Sequence, residues 1–123
     1  GIYAAVAVWC ADRDAAKARY GHIASWNSSE ITNMSSLFSG KAGFNEDISR
    51  WDVSNVTSLR GTFSGAPSFN GDLSRWDVSN ATIMRFTFSG ASSFNRQLEG
   101  YWSEGHADRT LMFEACPGSI VRS

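Results

Sequence analysis

A repeat of 25 residues runs through most of this chain and limits what it can fold into. The segments 48–72 and 73–97 are identical at 17 of 25 positions, and 23–47 is identical to 48–72 at 10. A single segment of this length has too few apolar side chains to offset the entropy that is lost on ordering. We therefore expect the repeats to stack, with recurring aromatic residues buried between them and recurring asparagines bonded to the adjacent backbone. The residues expected in these structural roles are Trp26, Trp51, Trp76, Phe38, Phe63, Phe88, Phe44, Phe69, Phe94, Asn45, Asn70 and Asn95.

The apolar spacing inside each repeat predicts one short strand and one helical turn. Trp76 and Val78 are two positions apart, and alternate residues share one face of an extended chain. Val56, Leu59 and Phe63 follow the i, i+3, i+7 spacing of a short amphipathic helix. The predicted fold class is an α/β solenoid, a leucine-rich-repeat-like stack of four 25-residue coils with short parallel strands on one side and short helical turns on the other.

The two ends of the chain differ from the central repeats and are expected to cover the stack. Residues 1–22 have apolar side chains at helical spacing, and Asp12 can begin a second helix that Gly21 ends. This segment is predicted to be a helical N-terminal cap. Residues 23–97 are predicted to be three tandem repeats and 98–123 a degenerate C-terminal capping repeat, all within one domain.

Composition and charge exclude several classes of function. The 11 basic and 12 acidic side chains give a net charge near −1, which provides no positive field for nucleic acid. No stretch approaches the roughly 18 apolar residues that cross a bilayer, so no membrane insertion by this segment is expected. The two histidines and two cysteines lie at opposite ends of the predicted stack, too scattered for a catalytic triad or a four-ligand zinc site. We predict a chain that is not an enzyme and uses no cofactor and no metal.

The exposed positions of the predicted strands are the candidate ligand-binding residues. The arginines there offer forked donors, and they lie near enough to offset the charge of the stacked aspartates. We expect these aspartates to be solvated, or structural through bonds to backbone N–H groups of the following turn, rather than catalytic or metal-binding. Trp102 lies one position beyond the usual tryptophan, which Tyr101 replaces, and is expected to be an exposed aromatic anchor. The candidate residues on this concave face are Asn27, Arg50, Asp52, Arg75, Asp77 and Trp102.

The repeats ISRWDVSNVTSLRGTFSGAPSFNGD and LSRWDVSNATIMRFTFSGASSFNRQ resemble the tandem repeat of BspA-like leucine-rich-repeat surface proteins, a family of microbial surface lipoproteins and secreted proteins. The similarity rests on the W-D-V-S-N-x-T core, the F-S-G-A turn and the closing S-F-N. It implies a non-enzymatic protein that is extracellular or on the cell surface. The first ten residues lack the pattern of a secretion signal, so this location follows from the resemblance alone.

Two functions remain open at this point. The first is adhesion-type recognition of another protein or a glycan by a monomer, through the concave strand face. The alternative is a structural spacer or display module with no ligand of its own. The repetition of Arg50 and Asp52 as Arg75 and Asp77 favours the spacer, because it is typical of repeat duplication, whereas the divergent composition of 99–109 favours recognition.

Overall fold

The computed structural model describes residues 1–121, and its regular secondary structure lies near the two ends of the chain. The two α-helices precede the repeats, and the two strands pair in parallel with Gln97 opposite Ser119. None of the helices within residues 1–121 has the length and apolar character that a membrane span needs. The elements are helix α1 Ile2–Ala11, helix α2 Arg13–Tyr20, the 3-10 helices Ile23–Ser25 and Gly100–Ser103, and the strands β1 Gln97–Leu98 and β2 Ser119–Ile120.

The prediction of an α/β solenoid with four coils, each holding a strand and a helical turn, is wrong. Residues 26–96, all of them described, contain no helix and no strand longer than an isolated bridge. The predicted strand at Trp51 and the predicted helix over 56–63 do not form. Each repeat is instead a succession of turns, and single parallel bridges join Asn33 to Ser58, Ser58 to Ile83 and Ile83 to Asp108.

One segment of every repeat, which we call the turn ribbon, carries most of the backbone bonds between repeats. Within it, every second N–H donates to a carbonyl of the next repeat, as Gly61 does to Arg85 at 2.9 Å and Phe63 to Thr87 at 2.8 Å. The N–H groups between them donate three residues back along the same ribbon, as Ser64 does to Gly61 at 3.0 Å. The turn ribbons are residues 34–40, 59–65, 84–90 and 109–115.

Left-handed residues explain why the helical spacing in this segment does not produce a helix. Gly61 and Gly65 have φ of 61° and 64°, and a right-handed helix cannot pass through residues of that conformation. Because two successive turns advance the chain by four residues, Leu59 and Phe63 still face the core. The apolar period therefore matches that of a helix although the hydrogen bonds run to the next repeat.

Indole groups join the repeats on the side where strands were predicted. The Nε1–H of Trp51 donates to the carbonyl of Ile23 at 2.9 Å, and that of Trp76 donates to the carbonyl of Ile48 at 3.0 Å. A tryptophan thus bridges to the preceding repeat from a buried position, in place of a backbone ladder. Trp51 and Val53 are buried on the same side, as expected, without belonging to a strand.

Aromatic rings from successive repeats stack in columns through the core. Neighbouring rings of the first phenylalanine column are nearly parallel at 5.4–5.5 Å, and those of the second lie 5.8–6.0 Å apart. Trp26 stacks on Trp51 at 6.5 Å. Stacked rings of this kind add about 0.5–1.5 kcal/mol per pair to the gain from burial. The columns are Phe38, Phe63, Phe88 and Phe113, and Phe44, Phe69 and Phe94.

The structure contains the predicted asparagine ladder. The side-chain oxygen of Asn45 accepts the backbone N–H of Asn70 at 2.9 Å, and that of Asn70 accepts the N–H of Asn95 at 3.1 Å. The side-chain amide of Asn70 also donates to Asn95 at 3.0 Å. The ladder supplies polar partners for backbone next to the second phenylalanine column.

Helices α1 and α2 pack on the first repeat. The Asp12 carboxylate accepts the N–H of Ala15 at 3.1 Å and so caps α2, which Gly21 follows. Trp9 is buried and meets Trp26 edge to face at 5.9 Å, so the first indole of the stack has a partner on its outer side. The two helices occupy the segment for which helices were predicted.

The prediction that Trp102 is an exposed anchor in place of the usual tryptophan is wrong. The 3-10 helix Gly100–Ser103 shifts the chain by one position, so Trp102 points inward and Tyr101 remains 46% exposed. Trp102 is fully buried, stacks on Trp76 at 6.3 Å and donates its Nε1–H to the carbonyl of Leu73 at 3.0 Å. It therefore has the structural role of the repeat tryptophans.

Substitution of Trp76 separates its ring packing from its hydrogen bond. Trp76→Phe keeps an aromatic ring but leaves the carbonyl of Ile48 with the backbone N–H of Trp51 as its one donor, and loss of the second hydrogen bond should cost about 0.5–1.5 kcal/mol. Trp76→Ala also opens a cavity and should cost about 3–5 kcal/mol. Denaturant unfolding measures both, with Arg75→Ala as an exposed neighbouring control. Equal losses for the two variants, or no loss for either, would contradict this arrangement.

Candidate functional site on the turn-ribbon face

The predicted ligand-binding carboxylates shape turns instead of facing a ligand. One side-chain oxygen of Asp52 accepts the N–H of Ser54 at 3.0 Å and its hydroxyl at 2.6 Å. Asp77 and Asn27 make the same pair of contacts with the serine two positions later. The hydroxyl and then the N–H of Ser54 lower the pKa of Asp52. The need for these turns is enough to explain why aspartate or asparagine recurs at this position, so the recurrence is not evidence of a ligand.

The predicted arginines remain on the surface but are not joined by the other candidates. Arg50 and Arg75 are exposed and make no hydrogen bond or ion pair within the described chain. Arg50 borders a depression of about 360 Å³ together with Trp26 and Asp47. Because the strands do not form and Trp102 is buried, the predicted concave face does not exist as a binding surface.

A different cluster lies on the outer face of the turn ribbons. The Arg60 guanidinium carbon lies 5.4 Å from the centre of the Phe86 ring, and that of Arg85 lies 5.7 Å from it. Ile83 is 39% exposed and Leu111, the equivalent of Phe86 in the next repeat, is 49% exposed. The cluster, which we call the Phe86 patch, consists of Arg60, Ile83, Arg85, Phe86 and Leu111.

The backbone of the Phe86 patch adopts a conformation that favours glycine. Phe86 and Leu111 have φ of 58° and 54°, and the equivalent residue of the second repeat is Gly61. A left-handed conformation costs a residue with a side chain roughly 1–2 kcal/mol. Ser36 and Ala115 share this conformation, so the site is marked by the large, partly exposed apolar side chains of Phe86 and Leu111 and not by the backbone conformation alone.

The patch carries a net positive charge. Arg85 lies 3.5 Å from the Asp108 carboxylate, and both side chains are about 40% exposed. Arg60 has no carboxylate partner within residues 1–121. Sequence reasoning missed this site because the segment was assigned to a helix. The available signal was the change from Gly61 to Phe86 at one position of two otherwise similar repeats.

A second candidate, a cleft between the helices and the first repeat, has little capacity for chemistry. It encloses about 740 Å³, and Arg13 within it is paired with Glu46 at 3.2 Å. Partial burial raises the pKa of the Cys10 thiol, which opposes formation of a nucleophilic thiolate. In the part of the chain that is described, no three His, Cys, Asp or Glu residues are grouped for metal binding.

Comparison with known proteins identifies one family. A family model described as "Mycoplasma protein of unknown function, DUF285" matches residues 11–119. No curated protein and no solved structure matches the chain. The matched region includes helix α2, all of the turn ribbons and the Phe86 patch.

Glycine at the left-handed position of the last ribbon should stabilise the protein. Leu111→Gly relieves a backbone cost of roughly 1–2 kcal/mol and adds an entropy cost of about 0.5–1 kcal/mol. Since Leu111 is half-exposed, little burial is lost, and we expect the free energy of unfolding to rise by up to about 1 kcal/mol. Leu111→Ala, which keeps a Cβ in the same conformation, is the control and should gain nothing. A loss above about 1 kcal/mol for the glycine variant would show that Leu111 is held by packing.

Acid should destabilise the fold through the turn aspartates. The N–H and then the hydroxyl of Ser74 lower the pKa of Asp72, as Ser54 lowers that of Asp52. A carboxyl with a lowered folded pKa stabilises the protein above the unfolded value, about 3.9 for aspartate, and this contribution is lost as the pH falls through the folded pKa. We expect stability to decrease with falling pH in that range, and less steeply in the Asp52→Asn, Asp72→Asn double variant. Glu30→Gln, which changes a carboxylate that accepts no hydrogen bond from these turns, should keep the wild-type slope in acid unfolding curves. If the double variant also keeps the wild-type slope, the two turn aspartates are not the source of the acid sensitivity.

Proposed function

The chain belongs to the DUF285 family, and from this premise we propose that it is a non-enzymatic recognition module that binds another protein through the Phe86 patch. The observation that carries the proposal is the pair of large apolar side chains that Phe86 and Leu111 hold partly exposed on a left-handed backbone. Both residues hold large apolar side chains at the surface in a conformation that the fold satisfies with Gly61 elsewhere. A binding partner that covers these side chains gives a reason for that arrangement.

The chemistry of the patch favours a protein over a glycan. Aromatic rings and arginine dominate the energetics of protein interfaces, and here two guanidinium groups flank one phenylalanine ring. Ile83, directly before the ribbon of Phe86, and Leu111, on the next ribbon, add exposed apolar surface. Branched aliphatic side chains add contact area for an apolar side chain but offer no hydrogen bonds to sugar hydroxyls.

Charge defines the partner further. Arg60 has no carboxylate partner in the described residues. Arg85 forms an ion pair with Asp108, and both side chains of that pair remain about 40% exposed. A partner segment with an apolar side chain next to aspartate or glutamate would bury Phe86 and pair Arg60 at the same time. The proposed partner is therefore a protein with an acidic, partly apolar surface.

A spacer requires only the turns, the aromatic columns and the asparagine ladder. Glycine in every ribbon at the position of Gly61 would serve a spacer better, because it would remove the left-handed strain. The duplicated aspartate turns suit either function. For the location of the module we propose the outside of the cell, on the basis of the sequence resemblance to microbial surface proteins.

Selection of peptides against the intact chain tests this function. We expect a displayed random-peptide library to yield binders that combine an apolar residue with flanking aspartate or glutamate. Their affinity should fall at least about tenfold in Phe86→Gly, which the fold accepts by analogy with Gly61, and in Arg60→Gln. The matched control is the Arg50→Gln, Arg75→Gln double variant, which changes two exposed arginines away from the patch and should bind normally.

The outcomes of the selection distinguish the candidate functions. Peptides that bind equally to wild type and to Phe86→Gly would place recognition elsewhere. A library that yields no binder for the folded chain would favour the spacer. Circular dichroism of each variant checks that the turns and helices are retained.

A further inference from the structure

The hydrogen bonds between ribbons have a direction along the stack. At each of the three junctions, four N–H groups of one ribbon donate to four carbonyls of the next, over 2.8–3.1 Å. Fewer backbone bonds run the other way: from Thr57 to Thr32, from Thr82 and Ile83 to Thr57, from Asp108 to Thr82 and, in the β1–β2 pair, from Ser119 to Arg96 and Val121 to Leu98. Each ribbon therefore presents N–H donors toward the C-terminal end and carbonyl acceptors toward the N-terminal end.

The N-terminal helices contribute a donor to the acceptor edge of the first ribbon. The hydroxyl of Tyr3 on α1 donates to the carbonyl of Ser35 at 2.6 Å and lies 3.4 Å from that of Asn33. Burial raises the pKa of this hydroxyl, which keeps it a donor. The helices that carry Tyr3 also cover Trp26.

The donor edge of the last ribbon has no such cover within residues 1–121. The N–H groups of Leu111, Phe113 and Ala115 correspond to those of Phe86, Phe88 and Gly90, which donate to the last ribbon. None of the three has an acceptor among the described residues. The ring of Phe113 ends its column with only Phe88 stacked on it, and Leu111 beside it is half-exposed.

We infer that the donor edge formed by Leu111, Phe113 and Ala115 binds a turn ribbon of the same repeat class presented by a polypeptide other than a second copy of this chain. An acceptor ribbon offers carbonyls at the spacing that the three inner junctions already use. It also brings an aromatic ring to the exposed face of Phe113. The occupant is thus defined by a row of backbone carbonyls and by a phenylalanine that would extend the column of Phe88 and Phe113. Its binding uses backbone groups of the last ribbon and not the side chains of the Phe86 patch.

The same polarity excludes the simplest alternative, a symmetric pair of two copies. Joining two C-terminal ends would place one row of N–H donors against another, with no acceptor between them. Joining the C-terminal end to the N-terminal end of a second copy would require displacement of Tyr3 and the helices. A partner repeat with an uncovered acceptor edge meets neither obstacle.

The test uses the full chain with a copy of residues 73–97 attached after Ser123 by a flexible, protease-cleavable linker. Docking of this repeat should slow amide exchange of Leu111, Phe113 and Ala115 at least about tenfold relative to the unmodified chain. After cleavage, the released repeat should remain bound in size-exclusion chromatography. A scrambled repeat on the same linker is the control for tethering and should give no protection.

A matched pair of variants at Ala115 tests the electrostatics of the edge. Asparagine and aspartate both tolerate the left-handed φ of 53° at this position. Ala115→Asn should retain the protection, whereas Ala115→Asp places a carboxylate that repels the incoming carbonyls and should abolish it. Phe86→Gly should leave the protection unchanged, so that failure of this proposal is separable from failure of the proposed protein-binding patch.

Several results would overturn the inference. Unchanged exchange in the fusion, equal protection by the scrambled repeat, or loss of the repeat on cleavage would each do so. So would dimerisation of the unmodified chain in sedimentation experiments with protection of the same three amides, because a second copy would then occupy the edge.

Discussion

The backbone hydrogen bond from one turn ribbon to the next is the interaction on which the rest of the molecule depends. It sets the repeats directly over one another, so that Phe63 meets Phe38 and Phe88, and Asn70 reaches Asn45. It also requires left-handed residues at regular intervals, because a continuous right-handed helix would use the same N–H groups internally. The aromatic columns, the ladder and the partly exposed position of Phe86 follow from that one backbone arrangement.

Side-chain roles were predictable from the sequence, and backbone conformation in the repeats was not. Phe63 and Asn70 recur at 25-residue intervals because each meets its own equivalent, and that recurrence is visible in the sequence. The hydrogen-bond partner of Gly61 lies 24 residues away at Arg85, and no local pattern indicates it. The helices at the N-terminus were predictable because their bonds are local and Asp12 supplies a recognisable cap.

At the candidate site, too, the sequence shows which residues recur but not the backbone conformation that decides their roles. Asp52 and Asp77 stood out because they recur, but recurrence marked a turn that every repeat needs. Phe86 is informative for the opposite reason, since it departs from Gly61 at a position where the backbone favours glycine. Only the folded structure shows that the position is left-handed and partly exposed to solvent. Trp102 was misjudged because a single inserted turn at Gly100 changes which residue faces inward.

The shared direction of the ribbon bonds gives the molecule an electrical asymmetry. Four aligned peptide groups cross each junction, and aligned peptide dipoles of about 3.5 D sum along their axis as they do in a helix. The resulting field is positive at the last repeat and negative at the first, so every added repeat lengthens a permanent dipole. The partial charges stay at the two ends however many repeats lie between them, and an anionic group gains most by approaching the last repeat.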